Sequence, residues 1–405
     1  ILLSTGYDVY PKDTSVVLTS FSAYANCKRL LSFKQNPNAI QCLDGIRALA
    51  TFWVVIGHVF FVLNFVTANP LAALEVSFSL ASIALYTSVG KFTAKQLIKT
   101  LPLFYLNRLL RMFPVLAAVV LFEASLYNRL GDGPVWEMVL NNVHKCRSYW
   151  WTTLLHVQNF VNPENCIGVT WYLAIDTHLH ILSPIVLFFV LGRRRKIALS
   201  ALTTALFISL TASVAYIYAK EDLHEQYFIN YYVNILTRAP PFFVGLMYGY
   251  VMSLWRGKRV KIPVVKILMF CIVVMVLSIG VIGATIYCKY LQEHVDQFSN
   301  RIVQNTFDSF LRPAWSLALG WIIFACANGY GGPINWFLSL NVWKIPSRIS
   351  YAMYLTHMSL IFSFYSSALQ PVYFTVPKAV SISSFFNFFF IIIFTNKKKS
   401  HYIFL

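Results

Sequence analysis

Charge is what this chain has least of, and acid above all. Only 12% of its residues are charged, and 15 of 405 are Asp or Glu against 33 Lys and Arg. With 58% apolar residues and a mean hydropathy of +0.61, the chain carries more apolar surface than one soluble core could hide. That excludes a soluble globular protein and indicates a polytopic membrane protein. The formal charge of +18 would suggest nucleic acid in a soluble chain, but here Lys and Arg lie between apolar runs, where they set topology, so a nucleic-acid partner is set aside. No cysteine spacing resembles a zinc site. No nucleophile elbow or Ser-His-Asp order is visible, which speaks against a covalent serine intermediate. There is no internal repeat. Residues 1–41 show neither a start methionine nor a signal-peptide pattern, so this opening segment reads as part of a longer chain.

What is there is a series of apolar runs of spanning or near-spanning length, at about 48–65, 72–90, 112–127, 170–191, 198–218, 238–254, 263–286, 310–328, 349–368 and 379–395. They predict an all-α polytopic integral membrane protein with about ten transmembrane helices and both ends cytosolic. Its parts are a cytosolic segment 1–41, a transmembrane domain 42–395 and a short basic cytosolic tail 396–405. The charges between the runs agree with that orientation. The dense basic clusters Arg193–Lys196, Arg256–Lys261 and Lys397–Lys399 fall on one side with Arg108, Arg111 and Arg348, while Asp132, Glu137, Glu164, Glu221 and Glu293 fall on the other. Cys146 and Cys166 share the long non-cytosolic loop between the third and fourth runs, where a disulfide between them is expected; Cys42 should be cytosolic and reduced.

Polar residues inside apolar runs are costly and need a partner or a job. In LDGIRALATFWVVIGH, Arg47 stands at the mouth of the first span and His58 eleven residues deeper. That is about 16 Å along a helix and within about 20° of one face. The pair reads either as a snorkelling Arg with a hydrogen-bonded His or as a site whose His takes a hydroxyl proton near neutral pH. Arg108 and Arg111 in NRLLRMFP are three apart, on one face, and could chelate phosphates or simply mark topology. Asp176 in TWYLAIDTHLHILSP lies about one and a half turns into the fourth span and could orient a histidine. Trp171 and Tyr172 before it fit an aromatic belt. His178 and His180, two apart, point to different faces and read as polar lining or packing. In RISYAMYLTH, Tyr354 and His357 share a face near the middle of a late span. Arg238, ahead of Pro240 and Pro241, is expected at the outer interface of a bent span.

The order and wording of LDGIRALATFWVVIGH, NRLLRMFP, TWYLAIDTHLHILSP, TRAPPFFVGLMYGY and RISYAMYLTH resemble the membrane acyltransferase-3 family, in particular its animal, nose-resistant-to-fluoxetine-like branch. The resemblance implies an O-acyltransferase that transfers groups other than aminoacyl groups, with His58 as the catalytic histidine and Asp176 and His357 at catalytic positions. It implies that Arg47, Arg108 and Arg111 serve the acyl donor. Asp44, Trp171, Tyr172 and Tyr354, inside the same motifs, are carried with them as candidate donor- or substrate-binding residues. Acyl-CoA is the expected co-substrate, with no permanently bound cofactor and no metal. The expected partners are membrane lipids and a hydroxyl acceptor (lipid, sterol or glycan), in the endoplasmic reticulum or plasma membrane. The alternatives are a transporter of lipids or other lipophilic compounds, or a catalytically inactive membrane scaffold.

Overall fold

The computed structural model describes residues 40–66, 94–192, 194–220, 228–255 and 301–369, with isolated positions elsewhere. Among the described residues the secondary structure is helical, with no strand. The principal helices are α1 (Cys42–Val66), α2 (Ala94–Ser125), α3 (Glu137–Leu154), α4 (Gln158–Val161), α5 (Trp171–Val190), α6 (Arg195–Ala219), α7 (Ile235–Trp255), α8 (Arg301–Ala327), α9 (Gly332–Leu338) and α10 (Lys344–Ser366).

Five of the described helical stretches are long and apolar enough to cross a membrane: Cys42–Phe60, Lys95–Ser125, Gly168–Val190, Arg195–Ala219 and Asn305–Ala327. A helix satisfies its backbone internally, which is what a chain in lipid requires. The expected runs 238–254 and 349–368 coincide with α7 and α10, while 72–90, 263–286 and 379–395 lie almost wholly outside the described residues. The third run differs from its expected bounds, because α2 begins at Ala94 rather than near residue 112. Lys95, Lys99, Arg108 and Arg111 lower the hydropathy of that stretch without opposing a helix, since Lys and Arg are good helix formers. Pro102 and Pro114 lie inside the same helix. The loop after α2 is itself largely helical, as α3 and α4.

Packing divides the bundle into two halves around the site. In one, α6 packs on α7, α7 on α8 and α5 on α6, over a core that includes Ile175, Leu179, Leu202, Phe242 and Leu246. In the other, α10 lies along α1, closing Val55, Val59 and Val62 against Ile361 and Tyr365. Gly45 allows the first turn of α1 to lie against α9, since a Cβ there would collide with the backbone of Leu338. A third core links α2, the Cys146–Cys166 region and α10 through Leu116, Val120, Val169 and Leu355. Helix α10 therefore touches both α1 and α2.

Candidate active site

Helix α10 works as a ruler along which the other elements are registered. The Ser347 hydroxyl donates to Asp44 Oδ1 of α1 at 2.9 Å, and the Tyr351 hydroxyl donates to the Met112 carbonyl of α2 at 3.1 Å. The Tyr354 hydroxyl donates to the Val169 carbonyl just before α5. His357 meets His58 of α1, and the Ser359 hydroxyl donates to the Glu123 carboxylate of α2. From Ser347 to Ser359 this register spans about 18 Å of axis.

Its centre is the histidine pair. His357 Nε2 and His58 Nδ1 are 3.1 Å apart, with ring centroids 4.9 Å apart. His357 Nδ1 lies 3.1 Å from the Met353 carbonyl, and a carbonyl can only accept, so that nitrogen carries the proton and His357 Nε2 keeps a lone pair. His58 Nδ1 faces that lone pair and also the Val54 carbonyl at 2.9 Å; two acceptors at one nitrogen require an N–H there. The hydrogen-bond network thus assigns the proton of His58 to Nδ1 and leaves Nε2 unprotonated. His357 is fully buried and its partner half-buried.

Midway along α2 the arginines separate into two arrangements. Arg108 is ion-paired with Asp176 of α5, so the acid read from sequence as a partner for a histidine is taken by an arginine instead. Arg47 and Arg111 are both exposed and within electrostatic reach of each other. Two guanidiniums on neighbouring helices repel unless an anion joins them, and phosphate is an anion they can grip in bidentate fashion. His178 lies against Phe160, with ring centroids 5.1 Å apart, and His180 stacks on Phe104 at 4.2 Å. The loop residue His156 joins this group; its imidazole is pushed down to about 4 by burial, with His178 and Arg108 adding to the effect.

On the far side of Tyr354 the wall is aromatic. Trp171 packs edge-on to Tyr172 at 5.7 Å and to Tyr232 at 4.7 Å. The Arg238 guanidinium stands over both Trp171 and Tyr232, at 4.7 and 4.3 Å, and its Nε donates to the Tyr232 carbonyl at 2.8 Å. Arg238 is buried, within reach of Tyr354. Desolvated cation–π contact accounts for its position. Cys146 and Cys166 form a disulfide.

The structure therefore brings His58, His357 and Tyr354 together, pairs Arg108 with Asp176, and places Arg47 with Arg111. Four contributing residues were not singled out in the sequence. Glu123 had a signal, an acid in the apolar run VVLFEAS. His156, Gln158 and Tyr232 lie in ordinary-looking loop sequence.

A model of the acyltransferase-3 family, described as an acyltransferase domain, matches residues 40–395. The nose resistant to fluoxetine protein 6 of Caenorhabditis elegans is 27% identical over 412 aligned positions, which cover 88% of this chain and 49% of that protein. The chain thus spans about half the length of the curated relative it matches. No solved structure matches.

Proposed function

Because the chain belongs to the acyltransferase-3 family, we propose that it is a multi-pass membrane O-acyltransferase, moving an acyl group from cytosolic acyl-CoA to a hydroxyl acceptor in or across the membrane. The observation that carries this reading is the His58–His357 pair, whose hydrogen bonds leave His58 Nε2 as the free base.

In this scheme Arg47 and Arg111 hold the donor's phosphates at the cytosolic mouth. The rise of about 16 Å from Arg47 to His58 is a length that the extended phosphopantetheine arm of CoA can cover, so the thioester arrives beside the imidazole. His58 Nε2 takes the acceptor's hydroxyl proton while the oxygen attacks the thioester carbonyl. Collapse of the tetrahedral intermediate forms the ester and expels the CoA thiolate, which takes that proton back from Nε2. As Nε2 becomes protonated, the Nδ1 proton shared with His357 Nε2 disperses the imidazolium charge, a task given to a carboxylate in other catalytic triads. Asp176 in turn keeps Arg108 paired midway along α2, apart from the exposed Arg47 and Arg111. The thioester is already a good leaving group, so placement and proton removal are the main demands.

The test is incubation of the purified full chain with labelled acyl-CoA donors of graded length and membrane lipids. A donor-dependent labelled ester is expected. Movement of lipophilic compounds across vesicles with no donor consumed would overturn the proposal in favour of transport.

A further inference from the structure

The segment between Cys146 and Cys166 reaches inward to the histidine pair. Gln158 Nε2 donates to the Thr170 carbonyl at 2.9 Å and to its hydroxyl at 3.2 Å, and Asn159 Nδ2 donates to the Trp171 carbonyl at 3.0 Å. The adjoining Val169 carbonyl accepts the Tyr354 hydroxyl, and the Tyr354 ring lies 5.9 Å from that of His357. A continuous line of contacts thus joins Gln158 to His58 through Thr170, Tyr354 and His357.

Two further features mark this segment. His156 and Cys166 hold left-handed backbone at φ 59° and 57°, the positive-φ residues other than glycine among the described residues. Such conformations are strained and concentrate at functional sites. Thr153 Oγ1, His156 Nδ1, Gln158 Oε1, Asn159 Oδ1 and Asn165 Nδ2 also have no hydrogen-bond partner among the described residues, although Thr153, His156, Gln158 and Asn165 are only 0%, 7%, 0% and 4% exposed. Buried polar groups are normally satisfied, so five orphans in one short segment call for a ligand that supplies both donors and acceptors. The segment's charges stay outside the group: Arg147 Nε donates to the Ala124 carbonyl at 2.8 Å, Glu164 is exposed, and burial keeps His156 neutral near pH 7.

We infer that the disulfide-closed segment Cys146–Cys166 is the acceptor-recognition wall of the site, with Gln158 at its centre, and that it takes an uncharged hydroxyl- or amide-bearing head group. The inference rests on the proposed acyltransferase only in calling this ligand the acceptor; binding at the wall is measurable without any donor.

Three amphiphiles with one tail, octyl glyceryl ether, octylammonium and octanoate, are titrated onto the purified full chain in nanodiscs with no acyl-CoA present. The neutral diol should bind tightest. Gln158→Leu should weaken it roughly fivefold or more, as expected for losing hydrogen bonds to a buried ligand, while Glu164→Gln should leave it unchanged. Gln158→Glu, nearly isosteric, should shift preference toward octylammonium and carries the test if the leucine variant does not fold. Wild-type diol affinity in folded Gln158→Leu or Gln158→Glu protein, or tighter binding of either charged amphiphile by the wild type, would overturn the inference. Absence of acyl transfer would count against the catalytic proposal and leave this binding result standing.

Discussion

Replacing Asp176 by Asn removes one charge from the Arg108–Asp176 pair and changes almost nothing in shape. The two side chains are 24% and 34% exposed, so the pair lies between a surface ion pair, worth about 0–1 kcal/mol, and a buried one, whose single truncation costs about 3–5 kcal/mol. A value of about 2 kcal/mol follows, roughly thirtyfold in the unfolding equilibrium. Arg108→Gln should cost a similar amount, because it strands the carboxylate instead. The double variant should cost less than the sum, leaving a coupling of about 1–2 kcal/mol. Equilibrium unfolding of the four proteins in bilayers or mild detergent reads all of these numbers. Strictly additive single-variant costs would refute the pairing and, with it, the separation of Arg108 from the exposed Arg47 and Arg111.

Two further perturbations test other contacts. An unfolded histidine takes its proton near pH 6.5, whereas His156 in the fold resists until about 4. The unfolded state therefore binds more protons in that window, and stability should fall by up to about 3 kcal/mol as pH drops through it; His156→Gln should flatten the slope in denaturation midpoints measured from pH 7 to 4. Gly45→Ala drives a Cβ into the Leu338 backbone and should cost about 1–3 kcal/mol, while Gly168→Ala, with nothing within 4 Å of the added atom, should stay within about 0.5 kcal/mol. Thermal unfolding of the two side by side checks this contrast.

Helical class and membrane character could be read directly from the sequence, because apolar runs and basic clusters are local and additive along it. So could the polar residues that the structure brings into contact: Arg47, His58, Arg108, Asp176, Tyr354 and His357 are each conspicuous as polar groups in apolar surroundings. Their pairing could not be read. His58 and His357 are 299 positions apart, and nothing local distinguishes an Asp176 that meets a histidine from one that meets Arg108, 68 positions away. Spacing correctly put Arg47 and His58 on one helix, since a helix fixes the relation between its own residues. The aromatic enclosure of Arg238 could not be read either, because it is assembled from Trp171 and Tyr232, on two other elements. Gln158 gave no signal, because its importance comes from the backbone it reaches and from burial, neither of which is visible in loop composition.

The account turns on His58 as the base. The most direct measurement is the initial rate of labelled acyl transfer by purified, intact His58→Ala protein beside the wild type, with donor affinity measured separately. Loss of a positioned base predicts a fall of about 10² to 10⁴ in rate, with donor binding, assigned in the proposal to Arg47 and Arg111, retained. Transfer by His58→Ala at the wild-type rate would contradict the mechanism.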